Sequence, residues 1–369
     1  MIKKIPITLL TGFLGSGKTT MLRQVLTLPN WGDTVVLVNE LGAVGLDHHL
    51  MWGASDAVLV MENGCICCSV REDLVGVLEE LFWKRLQRRI HSFGRVVIET
   101  TGLADPGPIM EAMLSHGLVA ERYALDGVFC TVDAVLGRGQ LKRHPESLAQ
   151  AVSADVLLVT KTDIAEESGI KKLEAELRAV NPLAVIQQTV AGQLPPGFLQ
   201  GFPAHSTERL EATVRSGMKP VPRVKQGAAP ALLFGRGQAG HLHHDRVQTM
   251  ALHFNRPWQW EAFELALRTT LSRHDDRILR IKGLIAVTDE PSPLVIQAVQ
   301  QTIFPVDRLP SWPDGKARSF IVCIAIGLTE ESIAEAFRSH LDLSEGDFRY
   351  KALGPAQDRS GRDSREYIF

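Results

Sequence analysis

Three stretches of the chain carry residue types that do chemistry rather than packing. They are GFLGSGKT from Gly12 to Thr19, GCICCSV from Gly64 to Val70, and HLHH from His241 to His244. The first matches G-x-x-x-x-G-K-[ST], with an apolar run before it and a helical pattern after it. That is the pattern of a phosphate cradle. Gly12, Gly15 and Gly17, with Ser16 among them, let the backbone approach an anion and turn its N–H groups inward, where a helix N-terminus also favours negative charge. Lys18 reaches the terminal phosphates as a point charge, the Thr19 hydroxyl suits Mg²⁺, and Thr20 can donate to an inner phosphate. A plain glycine turn would need neither Lys18 nor Thr19.

Two more signals extend this site. Val96-Val-Ile-Glu99 is an apolar run ending in a carboxylate, followed by Thr-Thr-Gly102. At the end of a strand Glu99 is placed to hold Mg²⁺ or its water, and Gly102 can offer its N–H to a γ-phosphate. Further on, Thr160, Lys161 and Asp163 close another apolar run. An acidic side chain can accept two hydrogen bonds from guanine N1–H and N2–H₂, which adenine does not present, and the Lys161 stem can lie along the base. A site of paired hydrogen bonds discriminates strongly, because the wrong base leaves it unsatisfied. The nucleotide expected is GTP. The competing reading makes Asp163 a simple cap of the helix that follows.

The cysteines pose a different question. Three of the chain's five thiols, Cys65, Cys67 and Cys68, stand within four positions. Residues 65 and 67 share a face if extended and 68 comes round with a turn, so the set can converge on one ion. Soft ligands of this kind suit Zn²⁺ or another late transition metal. Small buried residues are the bland alternative, and Cys130 and Cys323, each in an apolar run, fit it. His241, His243 and His244 could hold a metal loosely in glycine-rich surroundings. His116 reads as a helix-end residue.

The elements that must position these residues follow from periodicity. Short β-rich runs at 5–11, 34–38, 57–60, 95–99, 127–132, 156–160 and 184–186 alternate with helical patterns at 19–28, 72–90, 108–115 and 170–180. Alternation of this kind predicts an α/β unit with a doubly wound, mostly parallel sheet over residues 1–200. A Gly/Pro-rich linker carrying the histidines is expected over 201–246. A smaller α+β unit follows over 247–356, with strands at 249–254, 277–287 and 320–326 and helices at 258–271 and 330–340. Residues 357–369 read as a mobile polar tail. Net charge is −2, which gives no general attraction to nucleic acid or to anionic membrane. No apolar run approaches the ~20 residues of a membrane span. The lysines and apolar run at the N-terminus lead straight into the glycine loop, so they read as mature structure. A cytoplasmic location is expected, where thiols stay reduced and cysteine clusters are ligands or catalytic groups.

In order and spacing, TGFLGSGKTT, VNELGAVGLD, ENGCICCSVREDL, VVIETTGLADPGPI, LDGVFCTVDAV and LLVTKTD resemble the CobW-type GTPases. The segment from Thr101 to Val128 is most similar to the YjiA branch. LRIKG (279–283) and IVCIAIG (321–327) resemble that family's C-terminal domain. The resemblance implies slow, metal-responsive GTP hydrolysis and delivery of Zn²⁺, Co²⁺ or a similar ion to a client metalloprotein. It also places a switch on Asn39, Glu40, Gly42 and Asp47, of which Asn39, Glu40 and Asp47 are candidates to position the attacking water. The chain has Val38 and Ala43 where YjiA-like members often carry glutamates, so any ligation by those carboxylates is lost. A homodimer stays open. So do two other readings: a regulatory GTPase with a structural zinc or redox-sensing thiol site, and an ATP-dependent small-molecule kinase.

Overall fold

The structure, a computed structural model, describes residues 4–28, 31–39, 58–61, 69–195, 198, 247–274, 277–312, 315, 317–341, 348–352 and 367–368. Seven strands form the first sheet: β1 (Ile5–Gly12), β2 (Thr34–Asn39), β3 (Val58–Met61), β4 (Arg95–Glu99), β5 (Tyr123–Asp133), β6 (Val156–Thr160) and β7 (Val185–Gln188). Their order is β3-β2-β4-β1-β5-β6-β7, and every pairing is parallel. The apolar runs explain this. Ile7, Leu9, Val96 and Ile98 face one core with Leu78 and Met110, while Leu10, Val36 and Val97 face another with Met21 and Leu22. Strands buried on both faces need helices on both faces. These are α1 (Lys18–Leu26), α2 (Ser69–Leu86), α3 (Pro106–Ser115), α4 (Gly117–Arg122), α5 (Gly137–Arg143), α6 (Pro145–Ser153) and α7 (Glu167–Val180). The chain leaves β1 to build one side of the sheet and returns through β4 to build the other. The crevice at the C-terminal ends of β1, β4 and β5 is therefore the place for a ligand.

The expected strands of this unit are all present, with β5 starting four residues earlier than its pattern predicts. Helix α2 differs more, stopping at Leu86 instead of running to residue 90. Arg88 adopts φ +57°, and Arg89 N and Arg88 N return to Lys84 O and Arg85 O at 2.9 and 3.1 Å. That is a Schellman stop made with arginine where glycine is usual. Helices α5 and α6 carry no clean sequence signal. The first has two glycines, and the second is buried from Ser147 to Ser153 without a break, which erases the 3.6-residue stripe.

The second sheet is antiparallel. It comprises β8 (Val247–Phe254), β9 (Ile278–Ile285), β10 (Leu294–Val299), β11 (Thr302–Ile303), β13 (Ser319–Ile326), β14 (Phe348–Ala352) and β15 (Tyr367–Ile368), ordered β11-β10-β9-β13-β8-β14-β15. A short β12 (Asp307–Arg308) pairs with β10. Tyr367 and Ile368, in the stretch read as a tail, thus form an edge strand on β14. Helices α8 (Trp260–His274) and α9 (Glu330–Leu341) cover one face, where the rings of Phe254, Phe263 and Phe337 meet at 5.6 to 6.0 Å between centroids. Trp258, expected within that first helix, stands before it. It is buried and bridges Val287, donating its backbone N–H to Ala286 O at 3.0 Å. The opposite face packs Ala251, Leu279, Phe320 and Val322 against Leu148, Val152, Val180 and Leu183 of the first unit. Among the described residues no helix is long and apolar enough to cross a membrane.

Candidate functional site

The glycine loop joins β1 to α1. Gly12, Gly15 and Gly17 all have positive φ, at 142°, 71° and 96°. Gly12 leaves no alternative: a Cβ there would stand 2.5 Å from Thr131 O. A net of hydroxyls fixes the loop from behind. Ser16 Oγ lies 2.6 Å from Thr131 Oγ1, Thr160 Oγ1 donates to Ser16 O at 2.7 Å, and Thr100 Oγ1 donates to Thr11 Oγ1 at 2.8 Å. All of these side chains are buried, so each hydroxyl has exchanged water for a protein partner. Lys18 folds back over the loop and donates to Gly12 O and Phe13 O at 2.9 and 3.3 Å. Thr20 is exposed one residue beyond Thr19.

Glu99 ends β4 and is buried, paired in register with Leu10. Its Oε1 accepts from Thr19 Oγ1 at 3.0 Å. A hydroxyl from the first turn of α1 and a carboxylate from the end of β4 form an oxygen donor set, which suits a hard divalent cation. The segment after Glu99 lies against the glycine loop: a Cβ on Gly102 would be 2.7 Å from Leu14 N. Gln150 of α6 holds that segment, donating to Gly102 O and Ala104 O at 3.2 and 3.0 Å.

Thr160 is the last residue of β6, and Lys161 follows in the left-handed region at φ +56°. Asp163 is exposed and does not cap α7, whose cap position is Glu166. The capping alternative therefore falls. A tight turn from Val190 to Gln193 stands beside this corner. Thr162 Oγ1 donates to Thr189 O at 3.1 Å, and Gly192 (φ +77°) brings the turn against Thr20 O. Sequence reading missed this turn, and it missed Asp133. Asp133 ends β5, is 1% exposed, and pairs its Oδ2 with Lys161 Nζ at 2.6 Å. Burial would raise its carboxyl, but the Lys161 ammonium and the N–H groups of Leu136 and Val135 outweigh that and hold it below the usual carboxylate range. A signal was available: like Glu99, Asp133 is a carboxylate that ends a mainly apolar run, Gly127 to Val132.

Cys65, Cys67, Cys68, Glu40, Asp47, His241, His243 and His244 lie outside the described residues, as does the whole of the expected linker; of Asn39 only the backbone, at the end of β2, is described. The flanks of the cysteine stretch are described. β3 ends at Met61, level with Asn39, on the sheet edge where β1 and β4 also end. Cys130 and Cys323 are buried in β5 and β13, and burial pushes the Cys130 thiol up to about 12, so both are packing residues. His116 is exposed between α3 and α4, as a helix-end residue.

Residues 6–188 match the model of the CobW/HypB/UreG nucleotide-binding domain, and residues 247–341 match that of the cobalamin synthesis protein CobW C-terminal domain. The zinc chaperone YjiA of Escherichia coli K12 is 34% identical over 339 residues, covering 90% of this chain and 98% of that protein. The chain belongs to the CobW family. Another CobW-family relative, the zinc chaperone CobW of Pseudomonas aeruginosa, is 30% identical, covering 92% of each chain. The crystal structure of Zn(II)-bound YjiA GTPase superposes with a TM-score of 0.64 at 29% identity, over 92% of this chain and 99% of that one. A triple variant of YjiA, with one glutamate and two cysteines replaced by alanine, is likewise Zn(II)-bound and superposes at 0.65.

Proposed function

We propose that this CobW-family chain is a GTPase that holds a transition metal, Zn²⁺ foremost and Co²⁺ or Ni²⁺ as alternatives, on Cys65, Cys67 and Cys68. It passes that metal to a client metalloprotein as its nucleotide changes. The observation that carries this reading is the meeting of Thr19 Oγ1 and Glu99 Oε1 at 3.0 Å above a glycine loop already closed by Lys18. In this reading Gly12 to Thr20 bind the phosphates, with Lys18 on the terminal ones, and Thr19 and Glu99 hold Mg²⁺. Mg²⁺ held by these two residues would offset negative charge on the phosphates during hydrolysis. In the same reading Gly102, which packs against the loop at Leu14, senses the γ-phosphate through its N–H. Asn39, Glu40 and Asp47 are the candidates to orient the attacking water, and Thr160, Lys161 and Asp163 take guanine.

The thiols fall between the Asn39–Asp47 segment and Glu99. The third phosphate can order both flanks at once and tighten the metal site, and hydrolysis then loosens it. His241, His243 and His244 supply an entry site of lower affinity. Zinc is favoured over cobalt and nickel because two relatives matched over at least nine-tenths of their length are named zinc chaperones.

The test is a competitive metal titration of the purified protein with GDP and with a non-hydrolysable GTP analogue, repeated on Cys67→Ala. The analogue should tighten Zn²⁺ binding by about tenfold or more, and Cys67→Ala should remove the difference. Zn²⁺ also binds the triple variant of YjiA, so the readout is this change in affinity and not the presence of metal. Equal affinities in both nucleotide states would leave a regulatory GTPase with a structural zinc.

A further inference from the structure

Asp133 divides its two oxygens between two tasks. Oδ1 accepts from Val135 N and Leu136 N at 2.8 and 2.9 Å and so shapes the turn after β5. Among the described residues Oδ2 takes only the ammonium of Lys161, at 2.6 Å. The residues are neighbours across the sheet, with Asp133 in register with Thr160, and Ala134 N donates to Thr160 O at 3.0 Å. Lys161 is thus fixed at both ends. Its backbone is set by the left-handed turn and by the Thr160 hydroxyl bound to the glycine loop; its head is set by a buried carboxylate. Between them runs the four-carbon stem, two residues before the exposed Asp163. A free lysine stem would have to be immobilised each time a base lay on it, whereas this one is immobilised beforehand.

We propose that Asp133 is a positioning residue for the nucleotide base: by clamping the Lys161 ammonium it holds the lysine stem as a fixed apolar shelf for a purine ring. The proposal rests on the guanine site placed above at Thr160, Lys161 and Asp163. Asp133 itself need not touch the nucleotide. Its effect belongs to the base end alone, and the phosphate end should not feel it.

Asp133→Asn tests this cleanly, because an asparagine Oδ1 can still accept from Val135 and Leu136 while its amide faces Lys161 with a donor. Affinities for GDP, ADP and inorganic tripolyphosphate are measured by competition, together with thermal unfolding. GDP affinity should fall about tenfold while tripolyphosphate, which uses the glycine loop only, is unchanged. Lys161→Met should cost as much, and in that background Asp133→Asn should cost nothing more for GDP, though it should restore some thermal stability by removing an unpaired buried carboxylate. That divergence between stability and affinity is what a merely structural role would not give, and the lysine variants keep the proposal testable if Asp133→Asn alone folds poorly. GDP affinity unchanged or raised in Asp133→Asn, or an equal fall for tripolyphosphate, overturns the proposal. Asp163→Asn separates the layers. If the wild type does not prefer GDP to ADP, or Asp163→Asn keeps the preference, the guanine site fails and takes the shelf with it. If Asp163→Asn loses the preference while Asp133→Asn binds GDP as tightly as wild type, only the role of Asp133 fails.

Discussion

Gln300, in the turn between β10 and β11, donates its side-chain amide to Asp105 Oδ2 at 3.0 Å, 195 residues away in sequence. The other oxygen of that carboxylate accepts from Gly107 N at 2.9 Å and caps α3. Gly107 makes room for the contact, since a Cβ there would stand 2.6 Å from Gln300 Oε1. Asp105 lies three residues after Gly102, so the antiparallel sheet grips the segment that leads from the glycine-loop crevice into α3. Gln300→Ala removes the bond between sheets alone and should cost about 1.5 kcal/mol. Asp105→Ala also removes the helix cap and should cost about 1 kcal/mol more. In urea unfolding the double variant should be no less stable than Asp105→Ala; strictly additive losses would show that the bond does not form in solution.

Gly102 makes a second, separable prediction. Of the atoms that a Cβ would meet, Leu14 Cδ2 at 2.5 Å can swing aside, but the backbone N and Cα of Leu14, at 2.7 and 2.8 Å, cannot. Gly102 has no positive φ, so alanine brings a clash and no backbone strain. Gly102→Ala should push the segment off the glycine loop and lower GTP hydrolysis by about a hundredfold, as a misplacement of ~1 Å does. GDP binding should be retained, because the β-phosphate is held by the loop. Phosphate release at saturating GTP checks this, and a wild-type rate would mean that Leu14 yields.

Much of this was readable beforehand where local and global preferences agree. Ile5–Gly12 and Val156–Thr160 are apolar almost throughout because both faces are covered, and each ends in the residues its chemistry needs. Helix α6 was not readable, since Leu148, Ala149, Ala151 and Val152 are buried on several sides at once and leave no stripe. Strand β10 escaped for another reason: LVIQAV is as apolar as a helix segment of that length, and only its pairing with β9 makes it a strand. The clamp of Asp133 on Lys161 is a tertiary contact between residues 28 apart, and spacing alone could not have joined them.

Asp155 joins the two sheets at the start of β6, and its surroundings fix an acid dependence. Its Oδ1 pairs with Arg280, which is 4% exposed, and with Lys282 at 3.1 Å, while Oδ2 accepts from Val128 N at 3.0 Å. Burial would raise the carboxyl, but the charges of Lys282 and Arg280 and the Val128 N–H override it and hold it far below the usual carboxylate range. A depressed folded pKa means that the contribution is complete above the unfolded value of ~3.9 and is lost as pH falls from there toward the folded value. Asp155→Asn should therefore cost about 3–5 kcal/mol at neutral pH, because Arg280 is left charged and buried. Its stability should also fall less steeply than that of wild type below about pH 4, where wild type loses what the variant already lacks. Adding Arg280→Met should restore much of the neutral-pH loss, since the uncompensated charge leaves with it. Urea unfolding of the three proteins from pH 3 to pH 7 checks all of this, and parallel acid limbs for wild type and Asp155→Asn would show that the pair does not hold the sheets together.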